Sequence, residues 1–376
     1  MTILHIVDSL GRGGMENGVV NLAEGLGPRG YSFAVIALTR RGELADHFES
    51  FGPIESLDRA PGFSMTTARR LRQAIARHRP DIIHTHNLGP LLYTFLARAG
   101  IRRGTTILHG EHAELGPDER RGRRFLLRRL LLRWPHRLHT VSTGMTAQFT
   151  SLGLNPGGRM WSLVNGVDTR FYQPAPDPPA ARTSVLREFG VEPGPDLRLA
   201  GIVGRFDPHK RHRELLQAMA IDEHSPRPQL RHWHLLLIGD GGTRRDEILQ
   251  QIADHPAAAR IHHAGFRPRP RELYQALDLL LLPSSREGLS NALLEAMACG
   301  VPCLSHRSCG AGEVIIDGET GWIRDWTGAE QIQRDWSHLS QQSAQTIISA
   351  GRAARQRAEQ NFSIDSMLER YQAVYG

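Results

Sequence analysis

The sequence predicts an α/β protein built from two doubly wound domains, each with a parallel β-sheet between layers of helices. Its 376 residues exceed what one ordinary hydrophobic core accommodates and suit two domains. Short apolar runs alternate with amphipathic helical patterns almost from the first residue, as in repeated βα units. The alternation is interrupted by QPAPDPPAARTS at 173–184, where the prolines favour neither element. We therefore interpret 173–184 as a linker between the two domains.

Two sets of apolar runs, one on each side of the linker, are the predicted strands. Before the linker they are ILHIVD, FAVIAL, DIIHTH, TTILHG, RLHTVS and WSLVN. After it they are RLAGIVG, HLLLIGD, RIHHAGF, LDLLLLPS and PCLSH. The spacing of apolar residues between these runs predicts helices. They lie near 16–27, 67–78, 143–152, 211–220, 243–254, 270–277 and 290–299.

The predicted domains follow from these elements. We expect an N-terminal domain at 1–178, a C-terminal domain at 185–358, and a last helix at 359–376 that returns to the N-terminal domain. In open parallel sheets, ligands bind beyond the carboxyl ends of the strands. Functional residues are therefore expected in loops that follow strands, facing a cleft between the domains.

Composition and charge narrow the class of protein. The net charge of +7 and the pI near 9.9 admit nucleotide diphosphates, anionic lipids and nucleic acids as partners. The chain has no run of eighteen apolar residues, and its N-terminus lacks the basic region of a signal peptide. We therefore expect a cytoplasmic protein, with association at the inner face of the membrane as an option. Cys299, Cys303 and Cys309 are expected to be buried thiols, because their spacing fits no familiar zinc motif.

A glycine-rich turn, DSLGRGGMENG at 8–18, follows the first predicted strand and precedes a helix. Such a turn lets backbone amides, here those of Gly13 and Gly14, approach a phosphate at a helix N-terminus. The pattern departs from a dinucleotide-binding fingerprint because Glu16 occupies the position of its third glycine. The second strand also ends without the acid that would hold a ribose. An NAD-dependent oxidoreductase is therefore disfavoured, while a tight turn without a ligand stays open.

Histidines end two of the predicted strands. His84 and His86 lie on the same side of the strand that ends HTHN. His109, Glu111 and His112 end the next strand, LHGEH. A metal site is one interpretation, but nineteen histidines in the chain make such groups common, and we expect no bound metal. A hydrogen bond from His109 to a sugar or acceptor hydroxyl is favoured instead. The acceptor-side candidates are Glu16, His86, Glu111 and His112.

The stretch GIVGRFDPHKRHRELLQAM joins a predicted strand to a helix and concentrates positive charge. Arg205 and Lys210 lie beside the start of the helix, where they can bind a diphosphate. Lys210 is the one lysine among 46 basic residues. Its retention suggests that a compact ammonium is needed where a guanidinium would not fit. Chance placement of one lysine is the alternative.

The stretch REGLSNALLEAMACGVP carries two acids, Glu287 in a predicted loop and Glu295 in the second turn of the helix that follows. Ser290 or Asn291 is the predicted N-cap. Carboxylates accept hydrogen bonds from sugar hydroxyls, and the amides of 288–291 can donate to an anionic group at the helix N-terminus. Either acid alone could equally be a solvated residue favoured by the helix dipole. A nucleotide sugar, with a negative middle and hydroxylated ends, fits the whole set.

A metal-dependent transferase would need a motif such as Asp-x-Asp to hold magnesium or manganese. No Asp-x-Asp occurs in the 376 residues. We therefore expect the protein's own groups to neutralise the diphosphate, without a metal cofactor.

Taken together, these motifs resemble the retaining glycosyltransferases of family 4, which have the GT-B fold of two facing Rossmann-like domains. The resemblance covers nearly the whole chain, in GRGGME, HGEH, VNGVD, VGRFDPHK, EGLSNALLEAMACGVP and GETGWI. It implies that Glu287 binds donor-sugar hydroxyls, that Glu295 binds the ribose and that His109 lies near the reacting sugar. The implied catalytic residues are His109, Glu287, Arg205 and Lys210. The other implied donor contacts are Gly13, Gly14, Gly239, Phe266, Gly288, Leu289, Ser290 and Asn291.

Two stretches depart from the family pattern. The family often has G-G-x-x-E after the next strand, whereas this chain has CGAGEVI, which keeps Glu313 but alters the glycine turn. PHKRHRE replaces the more usual K-G after the basic pair. In both stretches the aligned side chain is kept, while the adjoining turn departs from the family pattern.

The resemblance implies a hexosyltransferase that moves a sugar from a nucleotide-diphosphate sugar to a hydroxyl of a glycan, lipid-linked or small-molecule acceptor. Retention of anomeric configuration rests on the resemblance, because no pair of carboxylates is clearly placed as acid and nucleophile. A route in which the leaving diphosphate helps to deprotonate the acceptor would need only a phosphate cradle. A sugar-nucleotide epimerase of the same architecture is the main alternative, and a non-catalytic nucleotide-sugar sensor is a further one.

The segment 118–137, DERRGRRFLLRRLLLRWPHR, contains eight arginines interleaved with leucines and two aromatic residues. A helix with such flanks can lie at an anionic membrane surface, where lipid-linked acceptors reside. A sheet-covering helix with solvated arginines is an equal alternative. Nucleic-acid binding is disfavoured, because few aromatics accompany the arginines and no nucleic-acid motif occurs.

Overall fold

The computed structural model describes residues 1–11, 13–194, 196–308 and 310–376. Arg12 of the glycine-rich turn and the predicted buried thiol Cys309 lie outside the described residues. The chain divides into two compact units. The first consists of Met1–Gly166 and Ile364–Gly376, and the second of Val167–Ser363.

Strands and helices alternate through both units. The strands are β1 (Thr2–Ser9), β2 (Ser32–Arg40), β3 (Ile54–Ser56), β4 (Ile82–His86), β5 (Thr106–Glu111), β6 (Arg137–Thr140), β7 (Met160–Ser162), β8 (Arg198–Val203), β9 (Trp233–Ile238), β10 (Ile261–Gly265), β11 (Leu279–Leu282), β12 (Cys303–His306) and β13 (Gly321–Arg324). The helices are α1 (Gly14–Leu26), α2 (Ala45–Phe48), α3 (Met65–His78), α4 (Leu88–Leu96), α5 (Gly122–Leu131), α6 (Thr143–Ser151), α7 (Pro178–Glu188), α8 (His212–Glu223), α9 (Arg245–Ala253), α10 (Arg271–Ala276), α11 (Asn291–Ala298), α12 (Ala311–Val314), α13 (Ala329–Ser340), α14 (Ala344–Asn361) and α15 (Ile364–Tyr375).

The sheet of the first unit has the strand order β3-β2-β1-β4-β5-β6-β7, with neighbours paired in parallel. Side-chain alternation along β1 directs Ile3 and Val7 to one face and Leu4 and Ile6 to the other. Residues of α1 and α15 pack on the first face, and residues of α3 pack on the second. A sheet buried on both faces needs apolar residues at successive positions, which explains the near-continuous apolar runs in the sequence.

The sheet of the second unit has the order β10-β9-β8-β11-β12-β13, again parallel. Its central strand β11 consists of four buried leucines. Trp326 and Trp336, the largest fully buried side chains, belong to the core of this unit. The indole nitrogen of Trp326 donates to Asp335 at 2.8 Å, so this large side chain is buried with its polar atom satisfied.

Both predicted sets of strands are present, and the two parallel-sheet α/β domains are confirmed. Boundaries differ by a few residues, as for LDLLLLPS, where the strand is confined to Leu279–Leu282. The sequence analysis missed β3 and β13, which have three and four residues. Runs this short leave too few positions for an alternation pattern to appear.

The interpretation of 173–184 as a linker between domains is wrong, because the whole stretch lies within the second unit and α7 begins at Pro178. Asp177 is the N-cap, and its side chain accepts a hydrogen bond from the amide of Ala180 at 3.0 Å. Pro178 and Pro179 occupy the first helical positions, where the missing N–H costs nothing because those amides lack helical partners. Proline is unfavourable in the interior of a helix, but here two prolines form the first turn of α7.

The basic segment 118–137 does not form one continuous helix. A 3-10 turn at Pro117–Arg120 is separated from α5 by Arg121 in an extended conformation, and β6 begins at Arg137. Gly122 has φ +80°, a conformation that L side chains rarely adopt, so it accommodates the change of direction. Throughout the described residues, no helix combines the length and apolarity required to cross a membrane.

Candidate functional site

The loop after β8 is built on two glycines that let backbone segments approach closely. Gly204 and Gly239 follow β8 and β9 with φ values of 152° and 138°. A Cβ on Gly239 would lie 2.2 Å from the carbonyl oxygen of Gly204, so any side chain there would push the two loops apart. The amides of both glycines are satisfied by neighbouring strands, through Ile238 and Gly265. The loop that carries the predicted basic residues therefore starts from a fixed backbone.

Arg205 and Lys210 both lie in this loop but in different surroundings. The Arg205 side chain is 67% exposed and forms an ion pair with Asp207 at 2.8 Å. Lys210 ends a 3-10 turn at Pro208–Lys210, and its amide donates to the Asp207 carbonyl at 2.9 Å. Its stem passes over Gly204, because a Cβ there would lie 3.3 Å from the lysine Cε. The ammonium is thus held in one direction, whereas the guanidinium is largely in solvent.

The structure pairs Lys210 with Glu287, two residues that are 77 positions apart and were both predicted as site residues. The lysine Nζ donates to Oε1 of Glu287, and the two side chains are 18% and 14% exposed. The pair is supported by the backbone, since the amide of Ser285 donates to the His209 carbonyl at 2.8 Å. Sequence reasoning placed a cation and an acid near one ligand but did not predict this contact.

The loop from Glu287 to the start of α11 presents backbone donors. Ser290 is the N-cap of α11, in an extended conformation and without a side-chain cap bond. Within the part of the chain that the structure describes, the amides of Gly288, Leu289 and Ser290 donate no hydrogen bond. A Cβ on Gly310 would lie 2.6 Å from the Gly288 carbonyl oxygen, so the following loop packs closely under this one. The amides at this helix start are available to an anion.

Glu295 lies within α11 between aromatic hydroxyls. The hydroxyl of Tyr274 donates to its Oε2 at 2.8 Å, and Tyr172 also hydrogen-bonds to the carboxyl group. Burial raises the pKa of Glu295 to about 7, although the bonds from Tyr274 and Tyr172 and the charge of Arg269 lower it. Burial, with the neighbouring carboxylate, raises the pKa of both tyrosines well above their usual range. Sequence reasoning missed both tyrosines, which only the tertiary fold brings to Glu295.

The remaining predicted donor residues lie at separate turns. Phe266 follows β10 and is 42% exposed, directly after Gly265 at φ +66°. Gly13 is the N-cap of α1 and is extended, and Gly14 is the first residue of that helix. A Cβ on Gly13 would lie 2.1 Å from Oε2 of Glu16, so this carboxylate folds back over the start of the helix. The Glu16 side chain is flexible and Gly13 has an extended backbone, so this contact alone does not require glycine.

His109 is fully buried, not exposed at the edge of a cleft. Its Nδ1 lies 2.8 Å from the Thr85 hydroxyl and its Nε2 lies 3.4 Å from Oε1 of Glu111. The same oxygen accepts a hydrogen bond from Nε of Arg128 at 3.0 Å. Burial raises the pKa of Glu111, but the hydrogen bond from His109 and the charge of Arg128 outweigh it and hold the pKa below its usual range. The carboxylate is therefore ionised and accepts a hydrogen bond from Nε2 of His109.

The sequence analysis did not distinguish Arg128 from the other seven arginines of 118–137, and the structure buries it. It lies three residues before the buried Leu131, on the inner side of α5. Helical spacing from Leu131 was the signal that could have identified it. Its partner Glu111, a predicted acceptor-side residue, forms a buried ion pair with it.

His86 and His112, also predicted on the acceptor side, lie on the opposite face of the sheet from His109. Ile82, two positions before His84, packs on the face covered by α1 and α15, while Ile107, two positions before His109, packs on the other. Nδ1 of His86 lies 2.9 Å from Nε2 of His112. Burial, with repulsion from neighbouring histidines, lowers the pKa of both rings well below the usual value. The structure thus divides the predicted acceptor-side residues among three places.

Comparisons with known proteins bear on both units. A family profile described as "Glycosyltransferase Family 4" matches residues 12–171, and one described as "Glycosyl transferases group 1" matches residues 189–356. The chain is 30% identical over 284 residues to the GDP-mannose-dependent alpha-(1-6)-phosphatidylinositol monomannoside mannosyltransferase of Mycolicibacterium smegmatis, covering 71% of this chain and 69% of the relative. It is 27% identical over 329 residues to the N-acetyl-alpha-D-glucosaminyl L-malate synthase of Bacillus anthracis, covering 84% and 79%.

Solved structures share the fold along the whole chain. Anabaena HepE in complex with UDP-glucose superposes with a TM-score of 0.82 at 20% identity, covering 100% of this chain and 99% of the other. Sucrose-phosphate synthase from Thermosynechococcus elongatus gives a TM-score of 0.81 at 17% identity, with coverage of 100% and 98%. At these identities the similarity concerns the architecture.

Proposed function

This chain belongs to the group 1 and family 4 glycosyltransferases of the GT-B fold, and from that premise we propose that its donor is a nucleotide-diphosphate sugar bound at the Lys210–Glu287 pair. The relatives named above are transferases, and nothing in them supports a sugar-nucleotide epimerase. The proposed reaction moves the sugar to a hydroxyl of a glycan, lipid-linked or small-molecule acceptor.

The ion pair between Lys210 and Glu287 is the main support for this proposal. The Lys210 ammonium has three N–H groups, and the one directed at Glu287 leaves two for phosphate oxygens. Glu287 keeps its second carboxylate oxygen for a sugar hydroxyl. Because each group holds the other in place, little conformational entropy is lost when the donor binds. A cation and an acid held next to each other can bind the donor where its pyrophosphate joins the sugar, with the cation on the phosphate and the acid on the sugar.

The rest of the pyrophosphate is assigned to neighbouring donors in the same unit. The amides of Gly288, Leu289 and Ser290 lie directly after Glu287 at the start of α11, where the helix dipole favours an anion. Arg205 reaches from the loop that also holds Lys210, and its exposure lets it exchange Asp207 for a phosphate. In this proposal Glu295 binds the ribose and Phe266 contacts the nucleoside.

We propose that transfer needs no divalent metal and retains the anomeric configuration. The chain has no Asp-x-Asp, and the proposed cradle supplies two cationic side chains in its place. Such a cradle supports departure of the diphosphate and attack by the acceptor hydroxyl from the same side of the sugar, with a leaving-group oxygen taking the hydroxyl proton. No nucleophilic carboxylate is required in that route.

Thermal unfolding in the presence of UDP-, GDP- and ADP-sugars with EDTA tests the donor assignment. A bound donor at 100 times its dissociation constant stabilises the protein by about 2.7 kcal/mol. We expect one nucleotide class to raise the midpoint for the wild type and to lose that effect in Lys210→Met. Arg334→Met, which removes an exposed cation from α13 of the same unit, is the matched control and should respond as the wild type does. A shift with none of the sugars, or only after manganese is added, contradicts the proposal. NMR of the isolated product would show whether the transferred sugar keeps its anomeric configuration.

We also propose that α5 contacts an anionic membrane surface, as a lipid-linked acceptor would require. Leu126 and Leu130, four positions apart on this helix, are 57% and 62% exposed. Exposed arginines flank them, among them Arg123, Arg124 and Arg129. An apolar stripe bordered by arginines is the pattern of an interfacial helix, and exposed leucines at this spacing are otherwise unfavourable in water.

Flotation with anionic and neutral liposomes tests this membrane contact. We expect the wild type to float with anionic liposomes only, and Leu126→Ser with Leu130→Ser to abolish flotation. Ile348→Ser, which removes an exposed apolar residue of α14, is the control and should float like the wild type. Equal recovery with neutral and anionic liposomes, or an unchanged double variant, would exclude this role of α5.

A further inference from the structure

Five histidines lie together on one face of the sheet of the first unit. His5 comes from β1, His84 and His86 from β4, and His139 from β6, while His112 follows β5. The four in strands are at most 2% exposed. Helix α15 lies over them, and its Tyr375 hydroxyl is 3.0 Å from Nδ1 of His84. The proposed transfer chemistry uses none of these five rings as a group, so the cluster needs a separate explanation.

Glycine at position 110 makes the cluster sterically feasible. Gly110 lies in β5, opposite His139 in the strand register. A Cβ at this position would lie 2.4 Å from Nε2 of His139 and 2.9 Å from Nε2 of His112. The ring nitrogens of two histidines therefore converge on space that any other residue would fill.

The hydrogen bonds among the rings fix several tautomers. Nδ1 of His139 faces the Thr140 carbonyl at 3.2 Å and must donate, so its Nε2 accepts from Nε2 of His84 at 2.9 Å. Nδ1 of His84 then accepts from Tyr375. Nδ1 of His5 lies 2.8 Å from Nε2 of His86, and Nε2 of His5 is buried without a hydrogen-bond partner among the described residues.

A buried ring nitrogen without a hydrogen-bond partner costs about 1–3 kcal/mol, and the bonds among the described rings leave Nε2 of His5 in that position. One ring nitrogen from each of His5, His84 and His86 lies within 4.8 Å of the other two. Zinc–imidazole bonds are about 2.0–2.1 Å long, so tetrahedral ligand atoms are roughly 3.3 Å apart. To bind one ion, the three nitrogens would therefore have to move closer together by rotation of their side chains. We propose that His5, His84 and His86 bind a divalent transition-metal ion.

The chemistry of the ligands selects the class of ion. Three imidazoles without a carboxylate or thiolate suit zinc, copper, nickel or cobalt and are poor ligands for magnesium or calcium. Each imidazole supplies a ring nitrogen as a ligand, so the site needs no charged side chain of the protein.

Tyr375 and His112 lie where they can hydrogen-bond the ring nitrogens of the ligands that do not coordinate the ion. The Tyr375 hydroxyl can accept as well as donate, so it also satisfies His84 when Nδ1 carries the proton and Nε2 coordinates. His112 holds Nδ1 of His86 in the same way at 2.9 Å. The ligands come from β1 and β4, and the outer partner Tyr375 comes from α15. The ion would therefore connect the N-terminal strand of the first unit with the C-terminal helix that packs on its sheet. Its role is structural and separate from transfer.

Titration of the metal-free protein with Co²⁺ and Zn²⁺ tests this site. For the wild type we expect one tightly bound Co²⁺ with the visible absorption of nitrogen ligands, displacement by Zn²⁺, and a higher unfolding midpoint. His84→Gln and His5→Gln should each weaken binding at least tenfold. His5→Gln is the milder change, because one of its ring nitrogens has no partner, and circular dichroism before metal addition verifies its fold.

The matched control is His234→Gln. His234 and His262 form a hydrogen-bonded, stacked pair with 2.9 Å between nitrogens, but they are two rings on the second unit and no third histidine joins them among the described residues. We expect this variant to bind Co²⁺ as the wild type does. Equal affinity in folded His5→Gln, a thiolate charge-transfer band that assigns the ion to Cys299 or Cys303, or loss of binding in His234→Gln would each overturn the proposal.

Discussion

The two sheets place their polar residues differently relative to the strand ends. In the first unit His86, His109 and Glu111 lie within β4 and β5, and the structure buries them. In the second unit Lys210 and Glu287 lie in loops after strands and keep part of their surface exposed. Strand residues between two helix layers cannot reach water, so their polar atoms must satisfy one another. In these examples, the polar residues inside strands complete the fold, whereas those in the loops after strands can meet a ligand.

Each unit also has one ion pair that shows the contrast. Glu111 and Arg128 are 2% and 5% exposed, and their charges are compensated inside the protein. Lys210 and Glu287 are held together but open to solvent, so each retains capacity for a further partner. Removing a member of the first pair should affect stability, while removing a member of the second should affect catalysis.

The largest effect is expected for Glu287→Ala. Loss of the carboxylate removes the proposed contact to the donor sugar and releases Lys210, so we expect turnover to fall by about 100-fold or more. Circular dichroism and the unfolding midpoint should stay close to those of the wild type. Glu319→Ala, which removes an exposed acid from the same unit, is the control and should keep its activity. Near-normal turnover of Glu287→Ala would contradict the assignment.

Arg128→Met should unfold the protein more easily, because Glu111 would remain as a buried charge without its cation. Breaking a buried pair in this way costs about 3–5 kcal/mol. Urea unfolding measures the loss, and Arg129→Met, an exposed arginine on the next position of α5, serves as the control with a change near zero. The double variant with Glu111→Gln should recover part of the stability. If the Arg128 and Arg129 variants unfold alike, the buried pair has no such role.

The fold was predictable because apolar periodicity survives in nearly every strand of the two sheets. The positions of Lys210 and Glu287 after strands were predictable for the same reason. Their contact was not, because it depends on the Ser285–His209 backbone bond between loops that are distant in sequence. Periodicity identifies elements, whereas contacts between loops need the three-dimensional arrangement.

Two kinds of residue escaped the sequence analysis for different reasons. Arg128 was lost among similar neighbours, since eight arginines in one segment hide the one that points inward. Tyr172 and Tyr274 reach Glu295 from separate segments, and no spacing in the sequence connects them. The sequence analysis considered His84, His86 and His112 with His109 but did not connect them with His5 and His139, which the fold brings to the same sheet on neighbouring strands.

Lys210→Arg should have an intermediate effect and separates charge from shape. The guanidinium keeps the positive charge. The lysine Cε would lie only 3.3 Å from a Cβ built on Gly204, so the lysine stem packs closely over this glycine and little room is left for a larger group. We expect donor affinity to weaken by about 10- to 30-fold, compared with a complete loss in Lys210→Met. Isothermal titration with the donor from the thermal screen measures both. Wild-type affinity in Lys210→Arg would mean that only charge is needed there.

A pH dependence of stability is expected at Glu295. Its pKa in the folded protein is raised to about 7, above the ordinary carboxyl value of 4.5, so the folded state holds a proton that the unfolded chain releases. This contribution is fully present below pH 4.5 and is lost as the pH rises through 7. Each pH unit between the two values is worth about 1.4 kcal/mol, and partial exposure reduces the total to roughly 2 kcal/mol.

Glu295→Gln keeps a neutral side chain at every pH, so comparing it with the wild type isolates this contribution. In urea unfolding, the stability of the variant relative to the wild type should increase by roughly 2 kcal/mol between pH 5 and pH 8. Glu319→Gln, an exposed acid, should show no such trend. A constant difference across this range would mean that the carboxyl is already ionised at pH 5. In that case the site in the second unit would be open to solvent even at Glu295, and the contrast with the buried Glu111 would become sharper.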